Sequence, residues 1–226
     1  MKITLLGYGK MGRIIEKLAT EDGHEVVLRV DENNRAQITA ADLRTCNVAI
    51  DFSRPDAAID NIRLALEAGV PVVVGTTGWH DRLDEVSGWV AEKGGALFYA
   101  TNFSIGVNLF FATARYLASR IRAEPYTASI EETHHTEKLD APSGTALTLE
   151  EGVRKALGGQ PIAIASYRED QVPGTHLLRF ASPIDTLEIV HTAHSREGFA
   201  RGALAAAEWV RHRSGVFTMS DMLSQD

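Results

Sequence analysis

The 226-residue chain predicts an α/β protein: a Rossmann-like parallel sheet domain joined to a smaller α+β domain for substrate binding and oligomerisation. Three observations predict it. Short apolar runs alternate with helical stretches over residues 1–103. A glycine-rich turn, Gly7-Tyr8-Gly9-Lys10-Met11-Gly12, follows the first run directly. After Asn102 the alternation gives way to a long helix and half-exposed strands.

Element by element, Ile3 to Leu6 is a first strand ending at Gly7. Met11, Ile14, Ile15, Leu18 and Ala19 recur at helical spacing. Glu25 to Val30 is a second strand, stopping at Asp31. Val48 to Phe52, Val70 to Val74 and Ala96 to Ala100 are further buried strands. Between them lie a helix from Pro55 to Gly69, carrying Ala58, Ile59, Ile62, Ala65 and Leu66, and one carrying Leu83, Val86 and Val90. Continuous apolar strands separated by helices imply a parallel sheet covered on both faces. Ile105 to Ile121 reads as a helix. Tyr126, Ala128 and Ile130 form a half-exposed strand, and a helix follows Pro142. Two more strand patterns lie around His176–Ala181 and Thr186–His191. A helix from about Gly198 to Arg211 closes the chain. The domains expected are 1–103 with 197–226, and 104–196.

Composition narrows the function. Apolar residues make up 44% and charged residues 23%, enough apolar surface to exclude a disordered chain. The net charge of −7 argues against a general nucleic-acid binder, which needs a basic stripe. A lone cysteine, Cys46, permits no intrachain disulfide and suits a reducing compartment. No apolar run approaches the roughly 20 residues that span a bilayer, and the N-terminus does not read as a signal peptide. A cytoplasmic protein without nucleic-acid or membrane partners is expected.

In the hexapeptide, Gly7 allows the tight turn, Gly9 lets backbone approach a pyrophosphate, and Gly12 lets the helix pack close. The helix N-terminus adds free N–H groups. Asp31 ends the second strand, where an acid accepts hydrogen bonds from the adenine ribose. Glu32 follows it, and two carboxylates repel a 2′-phosphate, favouring NADH. Arg29 and Arg35 flank the pair and keep NADPH open. Gly75-Thr76-Thr77-Gly78 and Thr101-Asn102-Phe103 follow strands, at the sheet edge where ligands gather.

The densest polar cluster is Glu131-Glu132-Thr133-His134-His135-Thr136-Glu137-Lys138-Leu139-Asp140-Ala141-Pro142-Ser143-Gly144-Thr145-Ala146. A histidine donates a proton near neutrality, and Lys138 adds a positive charge. The helix start suits a carboxylate, with either Pro142 in the first turn or Ser143 as N-cap. Adjacent histidines rarely point at one centre, so no metal is expected at His134-His135. Arg196 suits either a bidentate carboxylate clamp or a surface ion pair.

These residues together resemble the 4-hydroxy-tetrahydrodipicolinate (dihydrodipicolinate) reductase family. The resemblance covers nearly the whole chain: GYGKMGR at the start, Asp51-Phe52-Ser53-Arg54-Pro55, Gly75 to Gly78, Asn102-Phe103-Ser104 with Gly106-Val107-Asn108, and HTAHSREGFARGAL near the end. The most specific match is E-x-x-H-H-x-x-K-x-D-A-P-S-G-T-A. The resemblance implies reduction of a cyclic imine-type dicarboxylate by NADH or NADPH, with loss of water, in lysine biosynthesis through diaminopimelate. It implies His134 as general acid/base and Lys138 as second proton donor and substrate-binding cation. It implies His135 as a substrate contact, and Gly144 and Thr145 as the backbone pair holding a carboxylate. Gly7 to Gly12, Asp31, Gly75, Thr76, Thr77 and Ala100 to Phe103 match cofactor-binding segments. It further implies a homotetramer assembled through the second domain's sheet, a last helix returning to the nucleotide domain, and closure between domains. The chain departs from the family pattern in a shorter opening turn and an abbreviated stretch from Asp31 to Val48, on the adenine side.

Two other readings compete. A dehydrogenase of the same plan, such as an aspartate dehydrogenase, leaves the HHxxK stretch unexplained. A non-catalytic NADH sensor leaves the His134–Lys138 grouping unexplained and lacks a basic helix-turn-helix.

Overall fold

The structure, a computed structural model, describes residues 1–121 and 125–224. The chain forms two compact units, residues 1–105 with 197–226 and residues 106–196.

The first unit holds a parallel sheet of six strands. β1 (Lys2–Leu6), β2 (Glu25–Val30), β3 (Val48–Asp51), β4 (Val72–Val74) and β5 (Ala96–Tyr99) alternate with α1 (Lys10–Glu21), a short α2 (Ala40–Leu43), α3 (Pro55–Ala68) and α4 (Leu83–Lys93). Further on, α5 (Ile105–Ile121), β6 (Thr127–His134), α6 (Gly144–Ala156), β7 (Ala163–Arg168), β8 (Thr175–Ala181) and β9 (Thr186–Thr192) precede α7 (Glu197–Val210), β10 (Gly215–Phe217) and α8 (Met219–Leu223). The sheet order is β10-β5-β4-β3-β1-β2. One face packs on α1 and α7 through Ile15, Leu18, Ala203 and Ala207. The other packs on α3 and α4 through Ile62, Ala65, Val86 and Val90. Burying an aliphatic side chain such as Ile15 contributes about 1.5–3 kcal/mol. Both faces covered is what continuous apolar strands require. α7 lies so close that a Cβ on Gly202 would stand 1.7 Å from the Phe103 carbonyl oxygen.

Chain starts and stops follow local chemistry. Pro55 opens α3, and Gly69 closes it in the left-handed region at φ 71°. Gly94 closes α4 in the same way. Thr39 and Asp42 form a capping box for α2, inside the stretch that carries no readable pattern in sequence. Cys46 is buried, and burial pushes its thiol up, away from a reactive thiolate.

The second unit holds a four-stranded sheet in the order β7-β6-β8-β9. β6 pairs parallel with β7 and antiparallel with β8, which pairs antiparallel with β9. α5 and α6 cover one face through Phe110, Ala114, Ala118, Leu149 and Val153, against Ile130, Leu178 and Phe180. β7, β10 and α8 extend the predicted element order. β7 has no alternating burial to betray it, and β10 is three residues long. Among the described residues no helix is long and apolar enough to cross a membrane.

Candidate active site

In the first unit, Gly7 follows β1 at φ 102°, and its N–H donates to the Val30 carbonyl over 2.8 Å. A Cβ there would lie 2.3 Å from the Phe52 carbonyl oxygen, and one on Gly12 would lie 2.4 Å from the Gly7 carbonyl oxygen. Backbones touch where any side chain would hold them apart. A Cβ on Gly9 would meet nothing within 4 Å. Gly9 is the N-cap of α1, and no side chain caps that end. Its outermost N–H groups precede the first intrahelical bond, from Arg13 N–H to the Gly9 carbonyl. A cavity of about 410 Å³ opens here, lined by Gly7, Gly9, Asp31, Arg35, Ser53 and Asn61 among others. The uncapped helix end, the open space at Gly9 and the acid at the end of β2 fit a dinucleotide.

Around that cavity, Oδ1 of Asp31 accepts the N–H groups of Asn33 (2.8 Å) and Asn34 (3.3 Å). Both flanking arginines have partners, and Arg35 keeps its place in the cavity wall. Arg29 pairs with Glu16, while Arg35 donates to Asn61 Oδ1 (2.6 Å) and the Asp60 carbonyl (3.2 Å). The Tyr8 hydroxyl also donates to Glu16, Lys10 is exposed, and Met11 packs on the core. Buried Asp51 ties the strand ends together. It accepts from Thr76 Oγ1, Asn61 Nδ2 (2.7 Å) and Ser53 (N–H 3.0 Å, hydroxyl 2.8 Å), and burial pushes its carboxyl up. A Cβ on Gly75 would strike the Phe52 ring, and Thr77 is exposed. Ala100 is half-buried, Thr101 exposed, and Asn102 Oδ1 accepts Ser104 N–H over 2.9 Å. Phe103 is buried beside the Phe52 and Phe98 rings.

In the second unit, β6 alternates so that Ile130, Glu132 and His134 share the core-facing side. A carboxylate and an imidazole thus continue an apolar face. Glu132 has no side-chain exposure. Its Oε1 accepts Ser143 N–H (3.1 Å) and an Arg168 guanidinium N–H (3.3 Å). Its Oε2 lies 2.9 Å from His134 Nδ1 and 3.9 Å from His176 Nε2. Burial alone would push the Glu132 carboxyl up. Hydrogen bonding from Ser143 and Ser166, with the nearby imidazole of His134, overcomes it and leaves it below the usual range. Burial lowers His134 against the upward pull of Glu132, with Lys138 and Arg168 lowering it further. Burial, then His134, take His176 down to about 4. Oε2, Nδ1 and Nε2 have the spacing of a metal triad, all within 4.8 Å of one another. Arg168 and the Ser143 N–H already bring positive charge to that carboxylate. His176, not His135, is the second imidazole of the group.

Lys138 closes a turn, its N–H donating to the His135 carbonyl over 3.1 Å. Its ammonium sits 2.7 and 2.9 Å from the two Asp140 carboxylate oxygens. That ammonium holds the Asp140 carboxyl below the usual range, and the Gly144 N–H adds to the effect. Arg168 clasps the same turn, donating to the carbonyls of Lys138 (3.3 Å) and Asp140 (2.6 Å). Of the two helix starts compatible with the sequence, Ser143 is the N-cap, with its Oγ accepting Ala146 N–H over 3.2 Å. Gly144 is exposed, Thr145 and His135 are half-buried, and Arg196 is exposed with no ion-pair partner among the described residues. Strand β6, the turn and the helix start therefore bring His134, Lys138 and Gly144 into one cluster through Glu132, Arg168 and Ser143.

Two family models divide the chain between them: dihydrodipicolinate reductase, N-terminus, over residues 1–103, and dihydrodipicolinate reductase, C-terminus, over residues 106–223. The chain belongs to the dihydrodipicolinate reductase family. Two relatives named 4-hydroxy-tetrahydrodipicolinate reductase match nearly end to end. That of Christiangramia forsetii is 44% identical over 99% of this chain and 98% of its own. That of Neisseria meningitidis is 33% identical over 99% and 97%. A solved structure, dipicolinate-bound dihydrodipicolinate reductase from Paenisporosarcina sp. TG-14, has the same fold, with a TM-score of 0.85 at 20% identity over 99% of each chain. A probable dehydrogenase from Thermotoga maritima is more distant, with a TM-score of 0.62 at 8% identity, covering 98% of this chain and 92% of its own. Membership in the dihydrodipicolinate reductase family makes the chain an oxidoreductase.

Sequence reasoning missed four residues of this reductase's cluster. Glu132 had a signal, because alternation from the core residue Ile130 puts it and His134 on one side. Its neighbour Glu131 faces the other way and pairs with Arg179 (2.9 Å). His176 shares that signal through its pairing with Glu132 across β6 and β8. Arg168 had none, since β7 shows no pattern. Gly174 sits at φ 152°, and a Cβ on it would lie 3.0 Å from His134 Nε2.

Proposed function

We propose that the chain reduces 4-hydroxy-tetrahydrodipicolinate to tetrahydrodipicolinate with loss of water, the lysine-pathway activity of its family, with His134 and Lys138 as the groups that act on the ring. The observation that carries the site assignment is the Asp140 carboxylate, held by the Lys138 ammonium and drawn on by the Gly144 N–H. A carboxylate of the substrate takes over those donors, with Thr145 and His135 beside it and Arg196 as a bidentate clamp for the second one. The dipicolinate named with the Paenisporosarcina structure is a ring dicarboxylate of that type.

When bound, the nicotinamide would supply a hydride to the conjugated C=C–C=N system that forms once the 4-hydroxyl has left the ring as water. Gly7 to Gly12 would hold the pyrophosphate, Asp31 the adenine ribose, and Gly75 to Thr77 with Ala100 to Phe103 would line the nicotinamide side. Lys138 stabilises the charge that develops toward the ring nitrogen. His134 gives the proton that completes reduction. The experiment that tests this is NADH oxidation with the freshly made condensation product of pyruvate and aspartate semialdehyde. Steady turnover is expected, and none with the pure protein would reject the reading.

NADH is the preferred cofactor and NADPH the weaker one. Asp31 and Glu32 face the ribose end, Arg29 is paired with Glu16, and Arg35, which lines the same cavity, is held by Asn61 and the Asp60 carbonyl. Fluorescence titration should give NADH the lower Kd by about tenfold, roughly 1.4 kcal/mol. A preference for NADPH would show that Asp31 is not read this way.

The active form is a cytoplasmic homotetramer assembled through the outer face of the four-stranded sheet. Leu177 and Val190 oppose each other there, with Val190 53% exposed, and Tyr167, 48% exposed, stands on β7 at the edge of the same sheet. Sedimentation velocity should read four chains, and Val190→Asp should shift the boundary to smaller species. A monomer in the parent protein would remove this part.

A further inference from the structure

Glu132 is a carboxylate without side-chain exposure, and a fold has no need of one there. Stranding such a charge costs several kcal/mol unless partners compensate. Its partners all belong to the site. Oε1 takes the Ser143 N–H at the start of α6 and the Arg168 guanidinium. Arg168 in turn grips the carbonyls on either side of Leu139, the residue between Lys138 and Asp140. Oε2 faces His134 Nδ1 at 2.9 Å as an ion-pair contact without an aligned hydrogen bond. Neither of these two atoms has another hydrogen-bond partner among the described residues. At 2.9 Å the two atoms stand within hydrogen-bonding distance of each other.

We propose that Glu132 is the positioning residue of this reductase: it fixes the His134 imidazole as the Nδ1–H form with Nε2 as the atom that exchanges the proton, and, through Arg168 and Ser143, holds the Lys138 turn and the anion-binding helix start in register with it. This rests on the reading of His134 as the proton donor. The glycine at 174 supports the ring orientation, since a side chain there would press on Nε2. The charged groups around the imidazole are Glu132 on its own strand, Lys138 and Asp140 on the turn, Arg168 on β7 and His176 on β8. Glu132 and Asp140 favour the imidazolium, and the cations oppose it. Removing the Glu132 charge therefore moves His134 titration to lower pH.

The test uses Glu132→Gln, which keeps the shape and an acceptor for Ser143, and the parent protein. In the parent without substrate, ¹⁵N NMR of the histidine rings should show His134 protonated at Nδ1. An Nε2–H tautomer would overturn the proposal whatever the substrate is, and it remains readable if the variant fails to fold. In Glu132→Gln, kcat should fall about 10²–10⁴-fold, the upper end being the scale of neutralising a buried carboxylate behind a catalytic imidazole. The high-pH limb should shift to lower pH, and NADH affinity should stay unchanged. A folded variant with the parent's kcat and pH profile would refute it.

Discussion

Replacing His134 with glutamine should lower kcat by about 10²–10⁴-fold, the loss expected when a general acid is removed. NADH affinity should hold, because the dinucleotide cradle lies in the other unit and shares no side chain with β6. The pH profile adds a second reading. A donor must be protonated, so parent activity falls as pH rises through the His134 pKa. Burial lowers that pKa from its ordinary value. The limb should therefore lie on the acid side of a free histidine's and vanish in His134→Gln. Full activity in the variant would show that the proton comes from elsewhere.

Lys138→Ala should reduce kcat/KM by about 10²–10³-fold, the scale of losing one charged stabiliser from a shielded site. Both parameters should move. Turnover falls because no ammonium meets the charge building on the ring. KM rises for two reasons: a cation is lost, and Asp140 loses the partner that neutralises it. Left at the helix start, the Asp140 carboxylate then repels the incoming one. An unchanged KM would count against carboxylate binding at this turn.

Most of the nucleotide half was legible because its signals are local. Apolar strands, a glycine hexapeptide and an acid at a strand end each sit within a few residues. The cluster in the other half was legible only where it is contiguous, from His134 to Thr145. Of its remaining parts, Glu132 lies two residues before His134 on β6, and Arg168, Gly174 and His176 come from further along the chain. Arg168 reaches the turn from β7, whose residues are all half or fully exposed and carry no period. The abbreviated segment after Asp31 hid α2 because four residues held by a capping box leave no amphipathic trace. Arg29 and Arg35 flank Asp31 in the chain, yet their partners, Glu16 and Asn61, are 13 and 26 residues away.

The first unit is assembled from both ends of the polypeptide. Leaving the ribosome at about 5–20 residues per second, its sheet emerges early, but α7 and β10 come last. Until then Ile3, Leu5, Val73 and Phe98, which end up packed with Ala203 and Ala207 of α7, share a face that only α1 covers. Residues 106–196, by contrast, are contiguous and have their own apolar core. Synthesis order therefore favours the inserted unit maturing first, while the nucleotide half keeps part of its apolar face uncovered until α7, β10 and α8 emerge.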